Sequence, residues 1–376
     1  MLTTGELTTP SFLVDLTTLE ENIQQAAVLC EQHGKQLCPM VKTHKSVGIA
    51  ALQKQYGAKQ FLVGTLDEAE KLAEHGFSDL VLAYPVAADE NIARVLSLAS
   101  KAHVTVCFDG FEAAEQMQQL SCQTKQKLDY LLIVDCGLHR FGVRAEQAAA
   151  LARRISVLPN LHFKGISTHP GHVYGVSSHA DIERVAQEEV DTLERAKALL
   201  TDAGFFTEVV ATGSTPTMAA AAQNKTVTTL RPGNYVFYDA IQIALGVVPE
   251  ERCALTVLAT VIANPSDNLF MIDAGSKCFG LDKGAHSASL VNGYGIVKQH
   301  PELIIEGLSE EVGKIRAAGA TNLKIGDKIE VIPNHACAAA NMTDFLIGHR
   351  KGVVERLIAI DARGGKARRE VLQNYE

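Results

Sequence analysis

The sequence contains no Cys-x-x-Cys pair; its eight cysteines, at 30, 38, 107, 122, 136, 253, 278 and 337, are scattered. Such spacing supports neither a disulfide framework nor a four-thiolate zinc site. A reducing, cytoplasmic setting is expected, with most thiols acting as small buried hydrophobes. No apolar run approaches the roughly 18 residues of a membrane span. Residues Met1 to Pro10 hold Glu6 but no basic cluster followed by an apolar core, the pattern of a signal peptide. Basic excess is missing too, because the formal net charge is −8 and no aromatic-interleaved Lys/Arg stripe occurs. Neither nucleic acid nor a membrane is an expected partner.

What is present is ordinary globular usage: 47% hydrophobic and 21% charged residues in 376. That length accommodates two or three domains. From residue 12 to 245, short apolar runs alternate with segments of helical period. The runs are Gln36 to Val41, Gln60 to Val63, Asp79 to Tyr84, His103 to Phe108, Asp129 to Asp135, Leu161 to Thr168, Thr207 to Ala211 and Val227 to Leu230. Leu16 to His33, Leu66 to His75, Asp89 to Lys101 and His179 to Ala203 are amphipathic. Eight such strands with covering helices predict an α/β fold, a (β/α)8 TIM-type barrel with its site at the carboxyl ends of the strands; an open doubly wound sheet is the alternative. Residues 246–376 change character to β-rich runs, Cys253 to Ala263, Asn268 to Asp273, Leu290 to Val297, Lys328 to Ile332 and Val353 to Ile360. They predict a second, mostly β C-terminal domain, which residues 1–11 could join.

Polar, Gly-rich and aromatic residues collect after the predicted strands. Lys42-Thr43-His44-Lys45 follows the first, Asp135 to Val143 the fifth, and His169 to Gly175 the sixth. Thr212 to Thr217 follows the seventh and Arg231 to Tyr235 the eighth. Small hydroxyls and glycine backbones can converge on one anion, and loops after strands seven and eight commonly bind phosphate in this barrel. Alone, Thr212 to Thr217 also reads as a turn into a helix N-cap. A lysine at the mouth of strand one, opposite a phosphate site, is the arrangement a pyridoxal phosphate enzyme requires, the amine holding the aldehyde as a Schiff base. Chemistry alone leaves Lys42 and Lys45 both open. In Pro333-Asn334-His335-Ala336-Cys337, an extended chain would turn His335 and Cys337 to the same side, where imidazole and thiolate could share one metal ion. His169 and His172 at a strand end are candidates for meeting substrate, against the commoner satisfied role.

Taken together these segments resemble the D-serine dehydratase and D-threonine aldolase family, which shares the fold-type III architecture of alanine racemase. Thr9-Pro10, Asp273-Ala274-Gly275-Ser276-Lys277 and Gly307-Leu308-Ser309-Glu310-Glu311 carry the resemblance as well. It implies that Lys42 forms the covalent link to pyridoxal 5'-phosphate. Arg140 would lie near the cofactor's phenolic oxygen and Tyr174 near its pyridine nitrogen. Ser214, Thr215, Gly233 and Asn234 would cradle the phosphate, with Tyr235 contributing. His335 and Cys337 would bind a divalent metal (zinc, manganese or magnesium), and the protein would be a homodimer.

Within the resemblance, His-x-Cys marks dehydratases and His-x-Asp aldolases, so Cys337 points to a lyase that converts a D-β-hydroxy amino acid, of D-serine or D-threonine type, to a 2-oxo acid and ammonia. Val312 stands where the family often has a histidine. An aldolase giving glycine and an aldehyde is the alternative. An amino-acid racemase would need a tyrosine from the second domain, where Tyr294 and Tyr375 lie beyond residue 250. A non-enzymatic cofactor carrier would not need the second domain, for which about 125 residues are present.

Overall fold

The structure is a computed structural model describing residues 1–176, 178–284 and 290–364. It divides into two compact units: one holds Ala26–Val173, Ile182–Gly233 and the segment from Ala362, the other Met1–Gln25, Tyr174–Asp181 and Asn234–Asp361.

The first unit is a barrel of eight parallel strands: Gln36–Leu37, Phe61–Val63, Asp79–Leu82, His103–Phe108, Leu128–Ile133, Leu161–Ser167, Val209–Thr212 and Thr229–Leu230. From the second strand on, each pairs with the next, and the last pairs with the first through Gln36↔Thr229 and Leu37↔Leu230. First and second strands meet at a Met40↔Leu62 bridge, with the Leu62 N–H donating to the Pro39 carbonyl at 3.0 Å. That contact closes the ring. Cys38, Met40, Leu62, Val81, Cys107, Leu131, Ile133 and Ala211 form one buried cluster, with spacings such as Cys38/Met40 and Leu131/Ile133 reflecting the two-residue period of a strand. Side chains therefore fill the interior. Two of the helices begin where a hydroxyl satisfies a free N–H: Ser46 caps Val47–Gln55 and Thr65 caps Leu66–Glu74.

The strands' amino ends carry a belt of charge. His103 bonds Asp79 at 3.1 Å and Asp129 at 3.0 Å, and Asp129 also meets His162 at 3.0 Å. The hydrogen bond to Asp79, assisted by Asp129 and opposed by partial burial, raises the His103 pKa to about 9. Relative to an unfolded histidine near 6.5, this stabilisation is complete below about pH 6.5 and disappears as pH rises through about 9. His103→Gln should accordingly lower the urea midpoint more at pH 6 than at pH 10. An equal loss at both values would show that the charge on His103 contributes nothing.

The second unit is built on a sheet of nine strands among the described residues. In spatial order they are Leu269–Ile272, Gly313–Ala317, Leu303–Leu308, Ile296–Val297, Lys328–Ile332, Leu255–Ser266, Ser11–Asp15, Phe345–Arg350 and Val353–Ala359. Leu255–Ser266 also pairs with Leu269–Ile272, which closes the first six into a ring. Ser11–Asp15 lies antiparallel to Leu255–Ser266 and parallel to Phe345–Arg350. The expected run Leu290 to Val297 is a strand only at Ile296–Val297, because Gly293 and Gly295 adopt φ of 85° and 149° and turn the chain before it. Thr9, before the cis Thr9–Pro10 bond, donates to Asp273 at 2.5 Å, so two of the singled-out motifs meet. No helix among the described residues is long and apolar enough to cross a membrane.

Candidate active site

In the barrel unit, chemistry gathers at the carboxyl ends of the strands. Past the first strand the chain tightens into the turn Val41–Thr43, and Lys42 Nζ donates to the Tyr84 phenol at 3.3 Å. Tyr84 stands two residues past the third strand. The Arg140 guanidinium lies 5.4 Å from the ring centres of both Tyr84 and Phe141. The loop carrying it is folded back on the fifth strand: Asp135 accepts from the Gly137 and His139 N–H groups at 2.9 and 3.0 Å, and the Val143 N–H donates to the Ile133 carbonyl at 3.0 Å.

His169, two residues past the sixth strand, donates from Nδ1 to the Gly213 carbonyl at 3.2 Å. Burial, together with the charges of Lys42, Arg140 and Arg231, holds its pKa well below the usual histidine value. It is a neutral imidazole at pH 7, with Nδ1 carrying the proton. Its neighbour His172 packs over Gly137, where a Cβ would come within 3.1 Å of the imidazole.

After the seventh strand, Ser214 and Thr215 are buried, and Ser214 Oγ lies 3.1 Å from Thr217 Oγ1. Thr217 also stands at the N-cap position of the helix Met218–Gln223, but its hydroxyl makes no capping hydrogen bond there, so the segment leads into a helix without capping it. After the eighth strand, Arg231 donates to the Thr168 carbonyl at 2.6 Å. Gly233 packs so tightly that a Cβ there would fall 2.8 Å from Thr43 Oγ1, beside the turn that carries Lys42.

The two candidate lysines have different surroundings. Lys45, at a φ of 43°, is ion-paired with Glu68, whose side chain is fully buried. Glu68 also accepts from the Gly64 N–H at 2.7 Å.

In the β-rich unit, His335 is the N-cap residue of the short helix Ala336–Ala340, and Cys337 is in its first turn. The expected extended chain is therefore absent, yet the imidazole and thiol remain hydrogen-bonding neighbours. Burial opposes the imidazolium, but Cys337 and Asp282 outweigh it and raise the His335 pKa well above the ordinary value. Asp282 accepts from His335 Nδ1 at 3.1 Å, which fixes the ring and presents Nε2. Asn234 is buried and donates to Asp239 at 2.6 Å and to Cys337 Sγ at 3.7 Å; Asp239 also accepts from the Ala336 N–H at 2.9 Å. No group of three or more His, Cys, Asp and Glu among the described residues is arranged to hold a metal ion.

The family model "Alanine racemase, N-terminal domain" matches residues 14–240, and a serine dehydratase domain model matches residues 254–348. The D-threo-3-hydroxyaspartate dehydratase of Delftia sp. (strain HT23) is 31% identical over 88% of this chain and 91% of its own. This chain belongs to the D-serine dehydratase and D-threonine aldolase family. Another member, the D-threonine aldolase of Arthrobacter sp, is 28% identical over 95% of this chain and 93% of its own. The solved Delftia dehydratase superposes with a TM-score of 0.89 at 29% identity, covering 96% of this chain and 99% of that one. A mutant of D-threo-3-hydroxyaspartate dehydratase in a metal-free form gives the same score. Alanine racemase of Clostridium difficile 630, at 13% identity and a TM-score of 0.68 over 94% of this chain, shares the fold.

Of the residues singled out in this family member's sequence, Lys42, Arg140, Ser214, Thr215 and Gly233 belong to the barrel unit. Tyr174, Asn234, Tyr235, His335 and Cys337 belong to the other. Tyr174 is half-buried in the turn Gly171–Gly175, and Tyr235 is fully buried. Tyr294 has Lys283 Nζ 4.7 Å from its ring centre; Tyr375 lies outside the described residues. Sequence reasoning missed Tyr84 and Asp282. Tyr84 could have been found by applying the strand-end rule to the third strand, whereas nothing local marks Asp282.

Proposed function

We propose that this chain is a pyridoxal 5'-phosphate- and metal-dependent lyase that dehydrates a D-β-hydroxy amino acid to a 2-oxo acid and ammonia. One observation carries the reading: Lys42, rather than Lys45, joins Tyr84, Arg140, His169 and Arg231 among the groups after the barrel strands, while Lys45 is committed to Glu68.

The barrel residues fit the cofactor. Ser214 and Thr215 offer hydroxyls, and Gly233, with no room for a side chain against Thr43 and Met40, brings the segment after the eighth strand against the turn that carries Lys42. The family resemblance assigns Asn234 and Tyr235 to the phosphate as well, and Tyr174 to the pyridine nitrogen. When bound, the cofactor supplies an electron sink for charge developing at the substrate Cα. Lys42 takes the Cα proton at Nζ, and Arg140, stacked on two rings, holds a fixed positive charge beside it. His169, kept neutral, adds no further cation to a region already holding Lys42, Arg140 and Arg231.

His335 and Cys337 fit a metal ion. Asp282 orients the imidazole, and a thiolate with an imidazole suits zinc better than magnesium. With two protein ligands, coordination positions remain for water or substrate. Such a metal would supply Lewis acidity for the departure of a hydroxyl group.

Incubation with D-serine, D-threonine and D-threo-3-hydroxyaspartate should release 2-oxo acid and ammonia. Glycine with an aldehyde would instead establish the aldolase alternative, and inversion of D-alanine a racemase. Absence of every product would leave the carrier. Stripping the metal with a chelator should lower turnover about 10²-fold or more, the effect of withdrawing several kcal/mol of charge stabilisation, with recovery on adding zinc. Exchange of the Cα hydrogen with deuterated solvent should continue in the stripped protein, because Lys42 performs that step. Full turnover without metal would remove His335 and Cys337 from the reaction.

A further inference from the structure

Beneath the Gly213–Thr217 loop lies a carboxyl that the chemistry above does not use. Glu189 is midway along the helix His179–Asp202 and has no solvent exposure. Its Oε1 accepts from the Thr212 hydroxyl, its Oε2 is buried with no hydrogen-bond partner among the described residues, and the Thr217 hydroxyl and Gly213 N–H adjoin the carboxyl. Thr217 Oγ1 in turn lies 3.1 Å from Ser214 Oγ. A line of polar groups thus runs from the buried carboxyl through Thr217 to Ser214. The other charged or titratable groups that face it are Arg231, after the eighth strand, and Cys136, after the fifth.

We infer that Glu189 is a positioning residue that holds a proton beneath the anion site and thereby aims the Thr217 and Ser214 hydroxyls outward as donors. The inference rests on the reading of this loop as a phosphate cradle. With the carboxyl protonated, Glu189 donates to Thr217, Thr217 donates to Ser214, and the Ser214 hydroxyl is released to donate to the bound anion. With the carboxyl ionised, the line reverses: Thr217 donates to the carboxylate, Ser214 donates to Thr217, and a negative charge faces the anion from below.

Burial favours the neutral acid, and against the opposing pull of Thr217, Arg231 and Gly213 it raises the Glu189 pKa to about 8. A bound dianion raises it further, since the two negative charges repel. Anion binding therefore takes up a proton wherever Glu189 would otherwise be ionised. The consequence is a pH-dependent affinity that belongs to the protein rather than to the anion.

Sulfate is the suitable probe, because it remains a dianion throughout the range. Calorimetric titration of the cofactor-free protein, between pH 6.5 and 9.5 and in buffers of different ionisation heat, reports both affinity and proton uptake. Wild-type affinity should fall by up to tenfold per pH unit above about 8, with up to one proton taken up per sulfate. Glu189→Gln, which mimics the neutral acid, should remove that share of the slope. Thr217→Val, which cuts the line but keeps the carboxyl and its repulsion of the anion, should weaken sulfate binding at pH 6.5 and leave the proton uptake in place, and Thr217→Ser should restore the affinity, so the test survives a Glu189 variant that does not fold. Identical slopes and proton uptake in wild type and Glu189→Gln, or equal sulfate affinity at pH 6.5 in wild type and Thr217→Val, would overturn the inference and leave the cradle standing. Absence of sulfate and pyridoxal 5'-phosphate binding at every pH, in folded protein, would overturn the cradle and the inference together.

Discussion

Lys42→Ala is expected to abolish the absorbance band of the bound cofactor and to lower turnover by roughly 10⁴-fold, the scale seen when a reacting group is removed from a catalytic set. Lys45→Ala should leave the band in place. The contrast follows from the partners of the two amines: Lys42 reaches the Tyr84 phenol, whereas Lys45 is paired with buried Glu68. An absorbance spectrum and a 2-oxo acid assay on both variants decide the matter. Loss of the band with Lys45→Ala alone would transfer the covalent role to Lys45.

The second large effect concerns stability. Lys45→Met leaves the Glu68 carboxylate enclosed without its counter-charge, a change that typically costs about 3–5 kcal/mol. The double variant Lys45→Met/Glu68→Gln should recover most of that loss. Glutamine carries no charge, and its carbonyl can still accept from the Gly64 N–H, which the carboxylate now meets at 2.7 Å. Denaturant unfolding of the single and double variants measures the difference. If Lys45→Met proves as stable as wild type, the pair contributes nothing net.

Sequence patterns were most informative where burial and period agreed. His103–Phe108 and Lys328–Ile332 begin and end where their apolar alternation does. The first barrel strand is shorter than its apolar run because, beyond Pro39, Met40 makes a single bridge to Leu62 and one hydrogen bond to the Pro232 carbonyl before the chain turns at Val41. Leu303–Leu308 and Gly313–Ala317 escaped detection because Glu306, Gly307, Lys314 and Arg316 interrupt their hydrophobicity. These charges pair across the two strands, Arg316 with Glu306 at 2.5 Å and Lys314 with Glu306 at 2.8 Å, a cross-strand arrangement that no single segment reveals. The candidate site behaves similarly. Position after a strand was enough to single out Lys42, Ser214 and Gly233. Choosing between Lys42 and Lys45 required Glu68, which is 23 residues from Lys45 along the chain. Asp282, which orients His335, is 53 residues away from it.

Burial of the sulfur atoms has a practical consequence. Cys30, Cys38, Cys107, Cys136, Cys253 and Cys278 are buried, and exclusion from water raises each thiol's pKa, to about 12 for Cys30 and Cys136 and about 11 for Cys278. As protonated thiols behind packed side chains, they are poor nucleophiles. Attack by peroxide or an alkylating reagent is thereby channelled toward Cys122, which is exposed, and Cys337, which is partly so. Damage at Cys122 leaves the proposed chemistry untouched, whereas damage at Cys337 removes a donor atom from it, so aerobic ageing would degrade turnover while the fold persists.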